Sequence, residues 1–135
     1  MNNDLNELER AAMDALVEGT SKQARILQQQ VAKLAVSSRK VTQCGFYTNF
    51  TQPTSTPSLN LRSRIIITGV DGSFQGTAVG FILFIDRGYI KMLEGFTFGN
   101  DRWPDIADPK SGTVKGTPES QRLRDLLKED EMGHH

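Results

Sequence analysis

The sequence predicts an α+β fold: an N-terminal pair of helices packed on one antiparallel sheet of four to five strands, followed by a short C-terminal helix. Three observations lead to this prediction. Apolar residues recur at helical spacing over the first 36 residues, and between residues 41 and 98 they alternate or run together as in strands. Charge follows the same division, because residues 41–99 hold only seven of the 32 charged side chains.

Two helices, or one helix bent at Gly19, are expected before residue 37. The apolar positions of the first part are spaced three and four residues apart and define one face: Leu5, Leu8, Ala12, Ala15 and Leu16. The charged residues of this part, Glu9 among them, are expected mostly on other faces. Gly19 interrupts the pattern, and Thr20 or Ser21 is suited to cap a second helix. Its apolar positions have the same spacing: Ala24, Leu27, Val31 and Leu34.

Four strands are expected in the charge-poor middle of the chain, over residues 41–50, 61–70, 75–86 and 89–98. Asp71-Gly72 and Asp86-Arg87-Gly88 are hairpin signals, and residues 51–60, with two prolines, are typical of a surface loop. The third strand is apolar on both faces, which predicts a central position. Residues 112–115 form a candidate fifth strand at an edge.

The last part of the sequence predicts one more helix. Thr117 is suited to cap it, Pro118 fits its first position, and Leu123, Leu126 and Leu127 share one face. We expect residues 1–132 to form a single domain. The final Gly-His-His resembles the remnant of a purification tag.

Composition excludes several classes of function. Sixteen basic side chains balance sixteen acidic ones, which argues against a protein that neutralises nucleic-acid phosphates or binds an anionic membrane. The first 15 residues contain no apolar run of a signal peptide, and the longest apolar stretch, residues 78–85, is too short to span a bilayer. Cys44 is the one cysteine, so no intramolecular disulfide can form. These features predict a cytoplasmic protein with no nucleic-acid or membrane partner.

The inventory of catalytic groups is small. Outside the final two positions the chain has no histidine, so it lacks the base of a Ser-His-Asp or Cys-His unit. The same shortage, with scattered carboxylates, predicts no metal site and no cofactor. Cys44 lies in the apolar alternation of its strand and is expected to act as a small core residue.

Glu94 is the most unusual charged residue in the sequence. It is in phase with Ile90, Met92, Phe96 and Phe98, which places a carboxylate on an apolar face. Such a group must find a donor, lie at the rim of the sheet or take up a proton. A structural reading pairs it with an arginine or with backbone amides, and a functional reading makes it a ligand-binding or acid–base residue.

A second candidate group follows Glu94 along the chain. Trp103 lies in a polar loop beside Asp101 and Arg102, and tryptophan and arginine are enriched at binding hot spots. Tyr47 and Asn49 on the first strand could add polar groups to the same rim. The structural alternative is that Trp103 folds back and closes one end of the core.

Two segments, GFYTNF at residues 45–50 and GFILFIDRGYIKMLEGFTFGNDRWP at residues 80–104, resemble a group of small uncharacterised bacterial proteins. The likeness extends over about residues 10–104. The matching positions are Gly45, Phe46, Thr48, Phe50, Gly80, Phe81, Leu83, Phe84, Gly88, Met92, Leu93, Glu94, Gly95, Trp103 and Pro104. The resemblance implies this fold class and a bacterial origin. In size and class the chain is also similar to immunity proteins of toxin systems.

These observations favour a non-enzymatic binding module that uses the sheet rim around Glu94 and Trp103, with a protein partner or a second copy of the chain. The alternative is a small-molecule-binding protein or hydrolase with Glu94 as general base, the one weak catalytic candidate. A closed cavity containing Glu94 would favour this alternative. A third hypothesis gives Glu94 and Trp103 structural roles alone.

Overall fold

The computed structural model describes residues 4–99, 101–105 and 112–116, in which two helices pack on one face of a six-stranded antiparallel sheet. The helices are α1 (Glu7–Leu16) and α2 (Lys22–Lys33). The strands are β1 (Ala35–Thr42), β2 (Gly45–Thr51), β3 (Arg64–Phe74), β4 (Thr77–Asp86), β5 (Tyr89–Thr97) and β6 (Thr113–Gly116). Their order across the sheet is β1-β2-β5-β4-β3-β6, so β1 and β6 are its edges.

The predicted α+β class is confirmed, with a correction to the number of strands. The sheet has six strands instead of four or five, because β1 is an additional strand and the candidate edge strand forms as β6. The predicted C-terminal helix from Thr117 lies outside the described residues.

Local hydrogen bonds fix the start of each helix. The Asn6 side chain accepts from the Glu9 backbone N–H at 2.8 Å, while Glu9 Oε1 accepts from the Asn6 N–H at 2.9 Å. These two bonds form a capping box. Ser21 caps α2, since its Oγ accepts from the Ala24 N–H at 3.1 Å. Gly19 separates the helices with a φ of 145°, so residues 7–33 form two helices and not one bent helix.

The first hairpin corrects the prediction of a single strand over residues 41–50. The chain turns at Gln43 and Cys44, and Thr42 pairs with Gly45. The strand before this turn, β1, is polar and mostly exposed, so it carries no apolar alternation that would distinguish it from a loop. A bulge between Val36 and Ser38 interrupts the register further.

The prediction of a turn at Asp71-Gly72 was also wrong, because β3 continues through this dipeptide to Phe74. Gly72 pairs with Val79 on one side and with Val114 of β6 on the other. The chain turns later, where Gln75 and Gly76 both have positive φ, as a type I′ hairpin requires. The turn predicted at Asp86-Arg87-Gly88 is confirmed, with φ of 53° at Arg87 and 87° at Gly88.

One hydrophobic core lies between the helices and the sheet. The largest fully buried side chains come from both layers: Met13, Leu16, Leu27, Leu34, Ile67, Phe74, Phe81, Leu83, Ile85, Ile90 and Leu93. In β4 these are alternate residues, since Phe81, Leu83 and Ile85 point toward the helices. The intervening residues of the same strands therefore point away from the helices.

Candidate binding surfaces

Glu94 lies on the face of the sheet that the helices do not cover. It pairs with Tyr47 of β2 on one side and with Ile82 of β4 on the other, so these three side chains share a face. Its neighbours Leu93 and Gly95 are buried toward the helices. The carboxylate is half-buried, and within the described residues it belongs to no ion pair.

The apolar residues predicted to share the face of Glu94 do so, with the exception of Ile90. Met92 and Phe96 share its face, whereas Ile90 lies fully buried on the helix side. A bulge causes the change: Phe84 pairs with Met92 and the next residue pairs with Ile90, which leaves Lys91 unmatched. A one-residue insertion of this kind reverses which face the following side chains occupy.

We refer to the side of the sheet opposite the helices as the open face. Its large apolar side chains come from β3, β4, β5 and the residue after β5: Ile66, Ile82, Phe84, Met92, Phe96 and Phe98. Ile66 is 42% exposed and Phe98 is 47% exposed. An antiparallel sheet with one solvated face normally has polar residues there, so a second apolar face needs an explanation.

Glycine and aromatic residues of the segments 45–50 and 80–104 pack on one another at one end of the sheet. A Cβ atom on Gly95 would collide with the ring of Phe46, and a Cβ atom on Gly80 would lie 2.5 Å from the ring of Phe96. Phe46 therefore lies over Gly95 on the helix side, while Phe96 lies over Gly80 on the open face. Each glycine leaves the space that its aromatic partner fills, which gives these motif positions a structural role.

Trp103 lies on the helix side of the sheet, opposite Glu94. Its ring packs edge-on against Phe46, with centroids 5.2 Å apart, and against Phe81 at 6.4 Å. Its backbone N–H donates to the Gln43 carbonyl at 2.9 Å. The structure thus separates the two residues around which the sequence predicted one rim.

The remaining predicted site residues divide between the same two sides. Tyr47 and Asn49 lie on the open face with Glu94, and Asn49 Nδ2 donates to Ser38 Oγ at 3.0 Å. Asp101 and Arg102 are exposed beside Trp103, and the Asp101 carbonyl accepts from Thr97 Oγ1 at 2.6 Å.

The buried carboxylate of Glu9 connects α1 to the sheet. The sequence predicted that this residue lies outside the apolar face of the helix. Glu9 is 1% exposed, and each of its oxygens accepts two hydrogen bonds. Oε1 accepts from Arg39 Nη2 at 2.8 Å and from the Asn6 N–H, while Oε2 accepts from Arg39 Nε at 2.9 Å and from Thr48 Oγ1 at 2.6 Å. The pair with Arg39 is bidentate and joins α1 to the edge strand β1.

Burial by itself would raise the pKa of Glu9, but the hydrogen bonds from Arg39, Thr48 and Asn6 and the charge of Arg39 together lower it. The carboxylate is therefore ionised in the folded protein near neutral pH. Its position was recoverable in part from the sequence, because Glu9 is three, four and seven residues before Ala12, Met13 and Leu16. That spacing belongs to the buried face of a helix.

A groove of about 540 Å³ lies between the start of α1, the β1–β2 hairpin and the segment after Gly99. Its lining residues come from four places along the chain: Asn6–Glu9, Arg39–Val41, Phe46–Thr48 and Trp103–Asp105. Val41, at 77% exposure, is the most exposed large apolar residue of the described chain. A smaller cavity of about 160 Å³ lies beside α2. Glu94 lines neither space.

Metal-binding groups do not converge within the described residues, where no three His, Cys, Asp or Glu side chains are suitably grouped. In the same part of the chain, no helix has both the length and the apolar character needed to cross a membrane. Compared with known proteins, the chain matches no family model, no curated protein and no solved structure.

Proposed function

We propose that this protein is a non-enzymatic interaction module and that a protein partner packs on its open face around Glu94. The observation that supports this proposal is the apolar character of that face, on which Ile82, Phe84 and Phe96 lie beside the exposed Ile66 and Phe98. Contiguous apolar side chains of this kind are unfavourable in water and mark interaction sites on soluble proteins.

Glu94 defines the chemistry that the partner must offer. A carboxylate enclosed by an apolar interface loses hydration, and this cost is offset only by a donor or a cation on the other side. The partner surface is therefore apolar, with a lysine or arginine placed to meet Glu94. Tyr47 and Asn49 on the neighbouring strand supply hydrogen-bonding groups at the same level of the sheet.

Glu94 as a general base has weaker support. Within the described residues the carboxylate lines neither of these two cavities, where a small substrate would be enclosed. We therefore place Glu94 in a protein interface and not in a catalytic pocket.

A photo-cross-linking experiment tests the proposal. We expect p-benzoylphenylalanine at position 82 to form a covalent product with a separate protein, or with a second copy, in an extract of the source cells. Ala32, exposed on α2, is the matched control position, because the same probe there points away from the open face. Products identified by mass spectrometry at position 82 and absent at position 32 would support the interface. Cross-links confined to one chain, or equal at both positions, would contradict it.

A further inference from the structure

The groove beside α1 has a feature that an enclosed cavity lacks: one wall is an edge strand. Arg39, Lys40 and Val41 are consecutive residues of β1, and among the described strands β1 pairs with β2 alone. Alternate backbone N–H and C=O groups of an edge strand point away from the sheet and are free to pair with another strand. At eight residues, β1 is also twice as long as β6, the other edge.

Proteins commonly protect such an edge with charged side chains. Lys40 of β1 pairs with Tyr47 and so lies on the open face, while Arg39, on the groove side, is held elsewhere. Arg39 donates two bonds to Glu9 and a third to the Asp4 carbonyl at 2.7 Å, which draws its guanidinium toward α1. Val41, two residues later on the same face, is left exposed on the edge strand. The position next to the groove is thus apolar and uncovered.

The interior of the groove fits a large apolar side chain. Phe46, Trp103, Pro104 and Leu8 contribute apolar walls, and the volume is within the range of binding pockets. The charges of the lining favour a cation nearby, because Glu9 and Arg39 pair with each other and the remaining acidic groups, Glu7 and Asp105, outnumber Lys40. Glu7 and Asp105 are both exposed, so a basic group can reach them from solvent.

We infer that the groove binds an extended peptide segment of a partner protein, which adds to β1 as a seventh strand. One large apolar side chain of the segment enters between Phe46 and Trp103, and a neighbouring lysine or arginine faces Glu7 and Asp105. Main-chain pairing supplies affinity and the apolar side chain supplies selectivity, as in other strand-addition complexes. The apolar walls of this site lie on the opposite side of the sheet from Glu94, although Tyr47 borders both surfaces, and the site does not depend on the open-face proposal.

A random dodecapeptide phage library is the probe for this site. The full chain should enrich peptides with an aromatic or aliphatic residue next to a basic one, and the Val41→Asp variant should not. Ala32→Asp, which places the same charge on an exposed apolar position of α2 outside both the groove and the open face, is the matched control and should keep the enrichment. Enrichment that is equal for the wild type and Val41→Asp would overturn the site.

An enriched peptide then tests the binding mode. Trp103 is the one tryptophan of the chain, so its fluorescence reports occupancy of the groove directly. N-methylation at alternate positions of the peptide should weaken binding about tenfold each, because each change removes one main-chain donor and blocks close approach, and the intervening positions should have little effect. A peptide that binds with no such alternation, or that leaves Trp103 emission unchanged, would contradict strand addition.

Discussion

Arg39→Ala is expected to lower the free energy of unfolding by about 2–3 kcal/mol at pH 7, because it leaves an ionised carboxylate buried with only part of its hydrogen bonds. The loss is smaller than for a fully buried pair, since the Arg39 side chain is 42% exposed. Thr48 and the Asn6 N–H would remain as donors to Glu9, but the two bonds and the charge of the guanidinium would be lost. Urea denaturation of the wild type and the variant measures the difference. Lys40→Ala, at the exposed neighbouring position of β1, should change stability by less than about 0.5 kcal/mol.

The pH dependence of this effect follows from the lowered pKa of Glu9. A carboxyl group with a depressed folded-state pKa contributes stability above its unfolded value, near 4.5, and loses that contribution as the pH falls through the folded value. Without Arg39, the effect of burial on the pKa of Glu9 outweighs that of the remaining hydrogen bonds, so Glu9 takes up a proton more readily. The loss of unfolding free energy caused by the substitution therefore becomes smaller in acid. The difference in unfolding free energy between the wild type and Arg39→Ala should therefore decrease below about pH 4.5.

A comparison of the wild type with Glu9→Gln separates the contribution of Glu9 ionisation to the unfolding free energy from the contributions of other titrating groups. Burial raises the pKa of Asp14, which makes its own contribution favour the folded state as the pH falls. Because Asp14 is present in both proteins, its effect cancels in the difference. A difference in unfolding free energy that stays constant from pH 7 to pH 3 would contradict an ionised Glu9 in the folded state.

Gly88→Ala should have the second large effect, about 3 kcal/mol or more, since it combines backbone strain with a collision. Gly88 has a φ of 87°, and a Cβ atom there would run into the backbone carbonyl of Leu59. The Gly88 carbonyl also accepts from the Leu59 N–H at 3.0 Å and from Gln30 Nε2 at 2.9 Å. A shift of the turn would therefore weaken the bonds that hold the 52–61 loop and α2 to the sheet.

Gly76→Ala is the matched control for this prediction. Gly76 occupies the same position of a type I′ turn, with a φ of 81°, and a Cβ atom there would meet nothing within 4 Å. Only the conformational cost of about 1–2 kcal/mol should remain. Equal losses for the two variants in urea denaturation would show that the approach of Leu59 to Gly88 carries no energetic weight.

The two helices could be predicted because their signals are local. Gly19 and Ser21 mark the junction, and the apolar spacing identifies the buried side of each helix. The same spacing includes Glu9, which its charge placed on another face, and Gln30, which is fully buried as well. Their burial depends on partners far along the chain, such as Arg39 for Glu9 and the Ile90 N–H for Gln30. Nothing local to either helix specifies those partners.

The sheet was harder to predict, because equivalent local patterns have different tertiary outcomes. Asp71-Gly72 has the composition of a hairpin turn, yet Gly72 lies inside β3, where a Cβ atom would approach the Thr113 carbonyl at 2.6 Å. β1 is polar because it is an edge strand, and its pairing with β2 is not encoded in any alternation.

The predicted site was divided for the same reason. Glu94 and Trp103 are nine residues apart in the sequence, and the pleat of β5 places Glu94 on the open face while the following segment returns to the helix side. Sequence alone identified both residues as unusual. It could not show that Phe46 and Phe81 hold Trp103 on the side opposite the carboxylate.

The unfolding free energy of Ile82→Lys is the most direct test of the claim that a separate partner protein, and not the chain itself, covers the open face. Ile82 and Leu83 are neighbours on β4 that point to opposite faces. At a concentration where the chain sediments as a monomer, Ile82→Lys should cost less than about 1 kcal/mol, whereas Leu83→Ala should cost about 2–5 kcal/mol. A loss for Ile82→Lys as large as that for Leu83→Ala would show that the chain itself buries this face, and would contradict the proposed interface.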